Sequence, residues 1–232
     1  MSIHDGHRQR LKARFEKEGL DNFEELQVLE LLLFYCIPRK DTNPIAHALL
    51  DHYGSLAKVL EASPAELQNL PGVGAGVACY LELLMELIRY YQVNRMQKET
   101  ILNTVDKCGE YLVPYYCGRR NETVFLLCLD AKCKVLCCKE VGEGSVNSAS
   151  VPIRRIVEMA LGANATSVVI SHNHPSGLAL PSDEDYQTTM RLARALDAVE
   201  ITLVDHIVVA DDDFVSMAQS GRYHPDDCRN LI

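Results

Sequence analysis

Two histidines, a serine and an aspartate lie within the fourteen residues from His172 to Asp185. The apolar run just before them, 167–170, is typical of a buried strand, and side chains two residues apart in a strand point the same way. We therefore expect His172 and His174 to face one point. Imidazole nitrogen is the commonest protein ligand of zinc, and a carboxylate such as Asp185 can complete the site. Three protein ligands and one open position are the arrangement of a catalytic zinc.

Each of these residues also has an ordinary structural interpretation. Many His-x-His pairs are solvated surface residues, so His172 and His174 alone are weak evidence. Ser182 and Asp185 have the spacing of a helix capping box, in which serine and acid exchange hydrogen bonds. Capping and metal ligation are compatible, because the helix dipole favours an acid in the first turn.

The complete spacing, H-x-H-P, six residues, S, two residues, D, matches the JAMM (MPN+) metalloprotease signature at every position. The segments HNHPSG, PSDED and LVDHIVVA resemble the bacterial RadC family (UPF0758), and the likeness covers nearly the whole chain. It includes an N-terminal segment that reads LQVLELLLFYCIPRKDTNPIAHALL and then LPGVGAG. The resemblance implies a metalloprotease-like domain that holds Zn²⁺ through His172, His174 and Asp185.

A hydrolase of this kind also needs a general base, and JAMM enzymes use a glutamate upstream of the histidines. Five acids are candidates: Glu110, Glu122, Glu140, Glu143 and Glu158. The family resemblance places its glutamate at the start of the first strand, which selects Glu122, although an ordinary acid at a strand edge is the simple alternative. By the same resemblance Ser182 steadies the oxyanion.

The pair Asp205-His206 lies inside an apolar strand, 201–210. Buried charged groups need partners. Two interpretations stay open: the pair orients a zinc ligand through hydrogen bonds, or it pairs with nearby backbone.

The first hundred residues predict successive helices, because apolar periodicity is interrupted by capping signals and glycines. The turn Leu70-Pro71-Gly72-Val73-Gly74 between two helices resembles a helix-hairpin-helix motif, whose glycines let backbone N–H groups approach a phosphate. The residues that follow, 75–78, include no lysine or arginine. We therefore expect structural packing ahead of DNA binding, and only weak DNA contact through this segment.

The sequence predicts two domains joined by a polar linker near 97–105. Residues 1–98 form an all-helical, helix-hairpin-helix-like domain. Residues 105–232 alternate predicted strands and helices, which indicates an α/β fold, specifically the α/β/α JAMM/MPN-type domain with a mixed sheet that the resemblance implies. One of these predicted helices runs from Asp183 to about Asp197, and its buried side holds Tyr186, Met190, Ala193 and Leu196.

Composition limits the function further. The 232 residues carry a net charge of −9, which disfavours broad nucleic-acid binding because that affinity comes largely from cations. The longest apolar run is too short for a membrane span, and the first residues do not form a signal peptide. With nine cysteines and no export signal, we expect a cytoplasmic protein with reduced thiols.

These observations favour a zinc-dependent metallohydrolase, a peptidase or isopeptidase acting on a peptide or protein substrate through metal-activated water. One alternative is a DNA-associated accessory factor linked to repair or recombination, which binds through the helical domain. A second alternative is an interaction module that keeps its metal site but rarely catalyses a reaction. The sequence identifies neither the substrate nor the oligomeric state.

Overall fold

The computed structural model describes residues 3–96, 100–144, 151–175 and 177–228. The chain divides into two compact units, Met1–Ile88 and Arg89–Ile232. The first unit is helical and the second is mixed α/β. The predicted fold class is therefore confirmed.

Helices make up the first unit, and they end where the sequence supplies capping signals. Gly54 ends one helix in the left-handed conformation, with φ of 86°, and Ser63 opens another through a capping box with Glu66. The helices are α1 (Ile3–Glu18), α2 (Glu25–Cys36), α3 (Asn43–Tyr53), α4 (Leu56–Glu61), α5 (Pro64–Leu67) and α6 (Ala75–Arg95). No helix within the described ranges is both long and apolar enough to cross a membrane.

The short helix α4 was not predicted, since its six residues hold too few turns to show a periodicity. The core of this unit is aliphatic and includes the fully buried Leu29, Leu49 and Leu81.

The second unit is a five-stranded sheet with helices on both faces. Its elements are α7 (Val105–Tyr116), β1 (Thr123–Leu129), β2 (Val135–Glu143), α8 (Ile153–Gly162), β3 (Ser167–Asn173), α9 (Asp183–Asp197), β4 (Thr202–Ala210), β5 (Asp213–Ser216) and a 3₁₀ turn (Pro225–Cys228). The strand order is β2-β1-β3-β4-β5. Only β3 and β4 are parallel, and the other neighbours are antiparallel, so the sheet is mixed as expected.

Strand alternation divides the core between the two faces of the sheet. On one face, Leu126 and Ile170 pack with residues of α8 and α9. On the other face, Leu127 and Val169 pack with α7. The unit therefore has the three layers that the sequence predicted, and along β1 and β3 successive residues alternate between the two faces of the sheet.

Three local predictions differ from the structure. Helix α7 and strand β5 were not expected, and Tyr186, predicted on the buried side of α9, is exposed. The predicted linker lies partly on residues 97–99, outside the described ranges. Its later part pairs with the turn before β2, where Ile101 forms an isolated β-bridge with Lys134.

Candidate metal centre

His172, His174 and Asp185 converge in the second unit. His172 is the second-last residue of β3, and His174 follows the end of that strand. Asp185 is in the first turn of α9. One ligand atom from each residue lies within 4.8 Å of those from the other two. The structure therefore brings the three predicted ligands together, as the spacing indicated.

The Asp185 carboxylate serves both the cluster and its own helix. Oδ2 accepts hydrogen bonds from the backbone N–H of Ser182 at 2.8 Å and from its hydroxyl at 2.6 Å. Oδ1 lies 3.5 Å from Nε2 of His172. The predicted capping box is confirmed. Oδ2, although held by the cap, lies 3.9 Å from Nε2 of His174, so the two carboxylate oxygens face one histidine each.

The two ligand histidines present their Nε2 atoms to each other at 2.9 Å. Nδ1 of His174 donates to the backbone carbonyl of Leu178 at 2.9 Å. A carbonyl oxygen only accepts, so the hydrogen of a neutral His174 ring is on Nδ1 and its Nε2 carries a lone pair. That lone pair points into the cluster.

Behind His172 lies a second, fully buried histidine. Nδ1 of His172 is 2.8 Å from Nε2 of His206, and Nδ1 of His206 is 2.6 Å from the hydroxyl of Thr189. Asp205, the neighbour of His206, instead accepts hydrogen bonds from the Ser216 hydroxyl and from backbone N–H groups. His206 therefore contacts a predicted zinc ligand, and Asp205 bonds to nearby backbone and to Ser216.

Burial controls the protonation of this cluster. It lowers the pKa of His172 to about 4, against the opposing effect of Asp185, and lowers the pKa of His206 well below its ordinary value. Burial alone raises the pKa of the Asp185 carboxyl, but nearby His172 and the bonds from Ser182 outweigh it and lower that pKa. At neutral pH the rings of His172 and His206 are therefore neutral, and the Asp185 carboxyl is ionised.

These donors fit a zinc ion. Zinc prefers imidazole nitrogen and carboxylate oxygen and binds with three protein ligands in catalytic sites. Two imidazole nitrogens whose lone pairs face each other repel, and a cation bound by both removes that repulsion. The residues His172, His174 and Asp185 supply such a set.

Alternation along β1 places Glu122 on the same face of the sheet as His172. Val124, two residues later, is the register partner of His172 and packs beneath α8 and α9. Glu122 is half-buried at the start of the strand. Within the described ranges its carboxylate makes no hydrogen bond to the three ligand residues. Its role as general base stays a prediction.

The other acids considered as bases lie in less suitable positions. Glu110 is exposed on α7, the layer on the opposite face of the sheet. Glu140 forms an ion pair with Arg119, and Glu158 pairs with the arginine one turn before it. Glu143 is exposed at the end of β2. The choice of base therefore depends on position rather than on an observed contact.

Two participants in this network were not identified from the sequence. Thr189 follows Asp185 by four residues and so lies on the same face of α9. This helical spacing could have identified Thr189 from the sequence. Leu178 contributes only its backbone carbonyl, which no sequence pattern marks.

The turn of the hairpin-like segment has a structural explanation in the first unit. Gly72 has φ of 85°, and a Cβ at this position would lie 2.8 Å from Cγ1 of Ile45. Glycine is therefore required here by backbone conformation and by close packing. The glycine needs no phosphate to account for it.

The chain is similar to known proteins over most of its length. A family described as the RadC-like JAB domain matches residues 102–222. A UPF0758 protein of Fusobacterium nucleatum is 33% identical over 93% of this chain and 96% of its own length. A UPF0758 protein of Paraburkholderia xenovorans is 32% identical over 90% of this chain and 83% of its own.

Proposed function

Because the chain belongs to the RadC family, whose JAB domain contains the cluster described above, we propose that it is a zinc-dependent metallohydrolase acting on amide bonds, as a peptidase or isopeptidase. The observation that carries the proposal is the convergence of His172, His174 and Asp185 on one point. His172 and Asp185 are buried, whereas His174 is partly exposed, so the cluster is open on one side. A substrate can reach it from that side.

Zinc bound by these ligands supplies a Lewis acid and makes hydroxide available near neutral pH. The side chains must then hold and move the proton. Glu122, half-buried on the ligand face of the sheet, is proposed to accept a proton from the attacking water and pass it to the leaving amine. Loss of that carboxylate leaves the ligand set unchanged.

Ser182 is proposed to stabilise the oxyanion that forms on the substrate. Its hydroxyl donates to Oδ2 of Asp185 and accepts from the Asp185 backbone N–H. The backbone N–H of Ser182 also holds Oδ2. The hydroxyl hydrogen can therefore turn toward a substrate while Asp185 keeps one bond to its cap.

The loop beside the cluster supports a polypeptide substrate. Leu178 and Leu180 are 69% and 67% exposed, and alternate with the half-buried Ala179. Single exposed leucines are ordinary on a protein surface. Here, however, Leu178 is joined through its carbonyl to the ligand His174. Apolar side chains next to the site suit a substrate with apolar residues near the scissile amide.

The proposal is tested with a panel of peptides and isopeptide-linked substrates. We expect cleavage by the zinc-loaded protein, loss of cleavage after chelation, and recovery when zinc is returned. His47→Ala removes an exposed histidine of the first unit and is the control for incidental metal binding. If the zinc-loaded protein cleaves no amide of the panel, the hydrolase proposal is wrong.

A further inference from the structure

A buried chain of hydrogen bonds runs from α9 to His172 of the candidate metal site. The hydroxyl of Thr189 lies 2.6 Å from the backbone carbonyl of Asp185 and 2.6 Å from Nδ1 of His206. Nε2 of His206 lies 2.8 Å from Nδ1 of His172. These three side chains are at most 1% exposed. Water is therefore excluded from this hydrogen-bond chain, and its polar atoms must bond to one another.

The direction of the hydrogen bonds follows from the first link. A carbonyl oxygen only accepts, so at 2.6 Å the Thr189 hydroxyl must donate its single hydrogen to Asp185. The sulfur of Met217, 3.7 Å away, is a weaker and more distant acceptor. Toward His206 the hydroxyl can then only accept.

The remaining hydrogens are placed in turn. Nδ1 of His206 carries the hydrogen that Thr189 accepts, so Nε2 of this neutral ring is an acceptor. That acceptor takes the hydrogen from Nδ1 of His172. Nε2 of His172 is then left with a lone pair, which points toward His174 and Asp185, as a metal ligand requires.

The opposite direction would prevent metal binding. If Thr189 donated to His206, each histidine of the chain would carry its hydrogen on Nε2, and Nε2 of His172 could not bind a metal. It would also leave two oxygens, the Thr189 hydroxyl and the Asp185 carbonyl, facing each other at 2.6 Å without a hydrogen. The contact between Thr189 and Asp185 therefore selects one direction.

We propose that Thr189 is a positioning residue of the metal centre, whose hydroxyl sets the tautomers of His206 and His172 and so presents Nε2 of His172 to the metal. The hydroxyl does so from the same helix that supplies Asp185. The inference rests on the metal-binding part of the proposed function and is independent of the reaction catalysed.

The chain supplies a matched control at the next position. Thr188 is also buried on α9, and its hydroxyl has no hydrogen-bond partner among the described residues. Thr188→Val and Thr189→Val are the same isosteric change one residue apart. Only Thr189→Val removes a hydroxyl that takes part in the hydrogen bonds to His206 and Asp185. Thr189→Ser keeps the hydroxyl and tests for rescue.

Zinc affinity, measured by competition with a chelator, is the first readout. Loss of a group that orients a metal ligand weakens metal binding roughly 10- to 100-fold. We expect that loss for Thr189→Val, wild-type affinity for Thr188→Val, and affinity close to wild type for Thr189→Ser. Wild-type zinc affinity in a folded Thr189→Val protein would overturn the proposal, as would equal losses in the two valine variants.

A second readout needs no variant. Long-range ¹⁵N–¹H correlation spectra of the metal-free wild type at pH 8 report which ring nitrogen carries hydrogen. The proposal requires hydrogen on Nδ1 of both His172 and His206, and hydrogen on Nε2 of these rings contradicts it. A wild type that binds zinc but hydrolyses no amide would defeat the hydrolase proposal alone, whereas the Nε2 tautomers would defeat this one alone.

Discussion

Asp205 and His206 are consecutive residues of β4, yet both are buried and they serve opposite faces of the sheet. His206 contacts His172 on the side of α8 and α9. Asp205 lies on the same side of β4 as Ile207 and Val209, which pack with α7. His206 contacts a proposed ligand, and Asp205 ties β4 to Ser216 at the end of β5 and to Ala218 beyond it.

A bulge in β4 makes this arrangement possible. The register with β3 pairs Val168 with Leu203 and then Val169 with Asp205, so Val204 is the extra residue. Leu203 packs on the same face as α8 and α9. Without the extra residue, strict alternation would place His206 on the other face. The bulge therefore brings His206 behind His172.

The first prediction concerns the pH dependence of the metal-free protein. The folded-state pKa of His172 is about 4, and the unfolded state has the ordinary value of 6.5, so the unfolded chain binds more protons between these values. The free energy of unfolding should fall by roughly 3 kcal/mol as the pH is lowered from 6.5 to 4. Buried His206 acts in the same direction.

Urea unfolding of the metal-free protein at several pH values measures this effect. His172→Gln removes the titrating ring and should flatten the profile. Stability that is constant from pH 7 to pH 4 would mean that the rings are not buried and neutral.

The second prediction concerns the cap of α9. Ser182→Ala should lower stability by about 0.5–2 kcal/mol through loss of the N-cap, and should weaken zinc binding because Oδ2 of Asp185 loses one of its bonds. Ser63 forms the same capping box in the first unit, so Ser63→Ala is the matched control. It should cost similar stability and leave zinc affinity unchanged. Equal zinc affinity in both variants would exclude a role for the cap in holding the ligand.

The third prediction explains the glycines of the hairpin-like turn. Gly72→Ala should destabilise the protein by roughly 1–3 kcal/mol, because alanine meets both a positive φ and the side chain of Ile45. A Cβ at Gly74 would meet no atom within 4 Å, so Gly74→Ala should be neutral or slightly stabilising. Thermal unfolding distinguishes them, and equal stability of the two variants would contradict the packing explanation.

The fourth prediction is weak DNA binding. The chain carries a net charge of −9, and the residues after Gly74 include no cation until Arg89. Duplex affinity near physiological salt should be low, with a shallow dependence on salt, since each phosphate contact adds about 0.9 to the slope. Tight binding with a slope of about −5 or steeper would favour the DNA-associated accessory role.

Local signals allowed much of this structure to be predicted. Helix α9 has the expected bounds, Asp183–Asp197, because a capping box starts it and apolar periodicity continues it. The convergence of His172 and His174 was predictable because they are two residues apart at the end of β3. Tyr186 was misplaced since it follows Asp185 by one residue and is therefore turned about 100° from the buried face.

Tertiary packing explains what the sequence did not reveal. Helix α7 contains Gly109 and Pro114, which both oppose helix formation. Gly109 is nevertheless suited to its site, because a Cβ there would overlap the ring of Phe214 on β5. No sequence signal marks the bulge at Val204, and so the partners of Asp205 and His206 could not be assigned.

Zinc binding and proton transfer are proposed to depend on different side chains, His174 as a ligand and Glu122 as the general base. Glu122→Gln keeps the size of the side chain and removes its basicity, so zinc content and folding should match the wild type while hydrolysis falls about 10²- to 10⁴-fold. His174→Ala should lose zinc and hydrolysis together.

Glu143→Gln, a matched change on the neighbouring strand, should keep both. Zinc content and hydrolysis rate are measured side by side on these three variants. We expect that only Glu122→Gln retains full zinc content and is inactive. Loss of zinc in Glu122→Gln would make Glu122 a ligand, and full activity in that variant would place the base elsewhere; either result would show that Glu122 is not the general base proposed here.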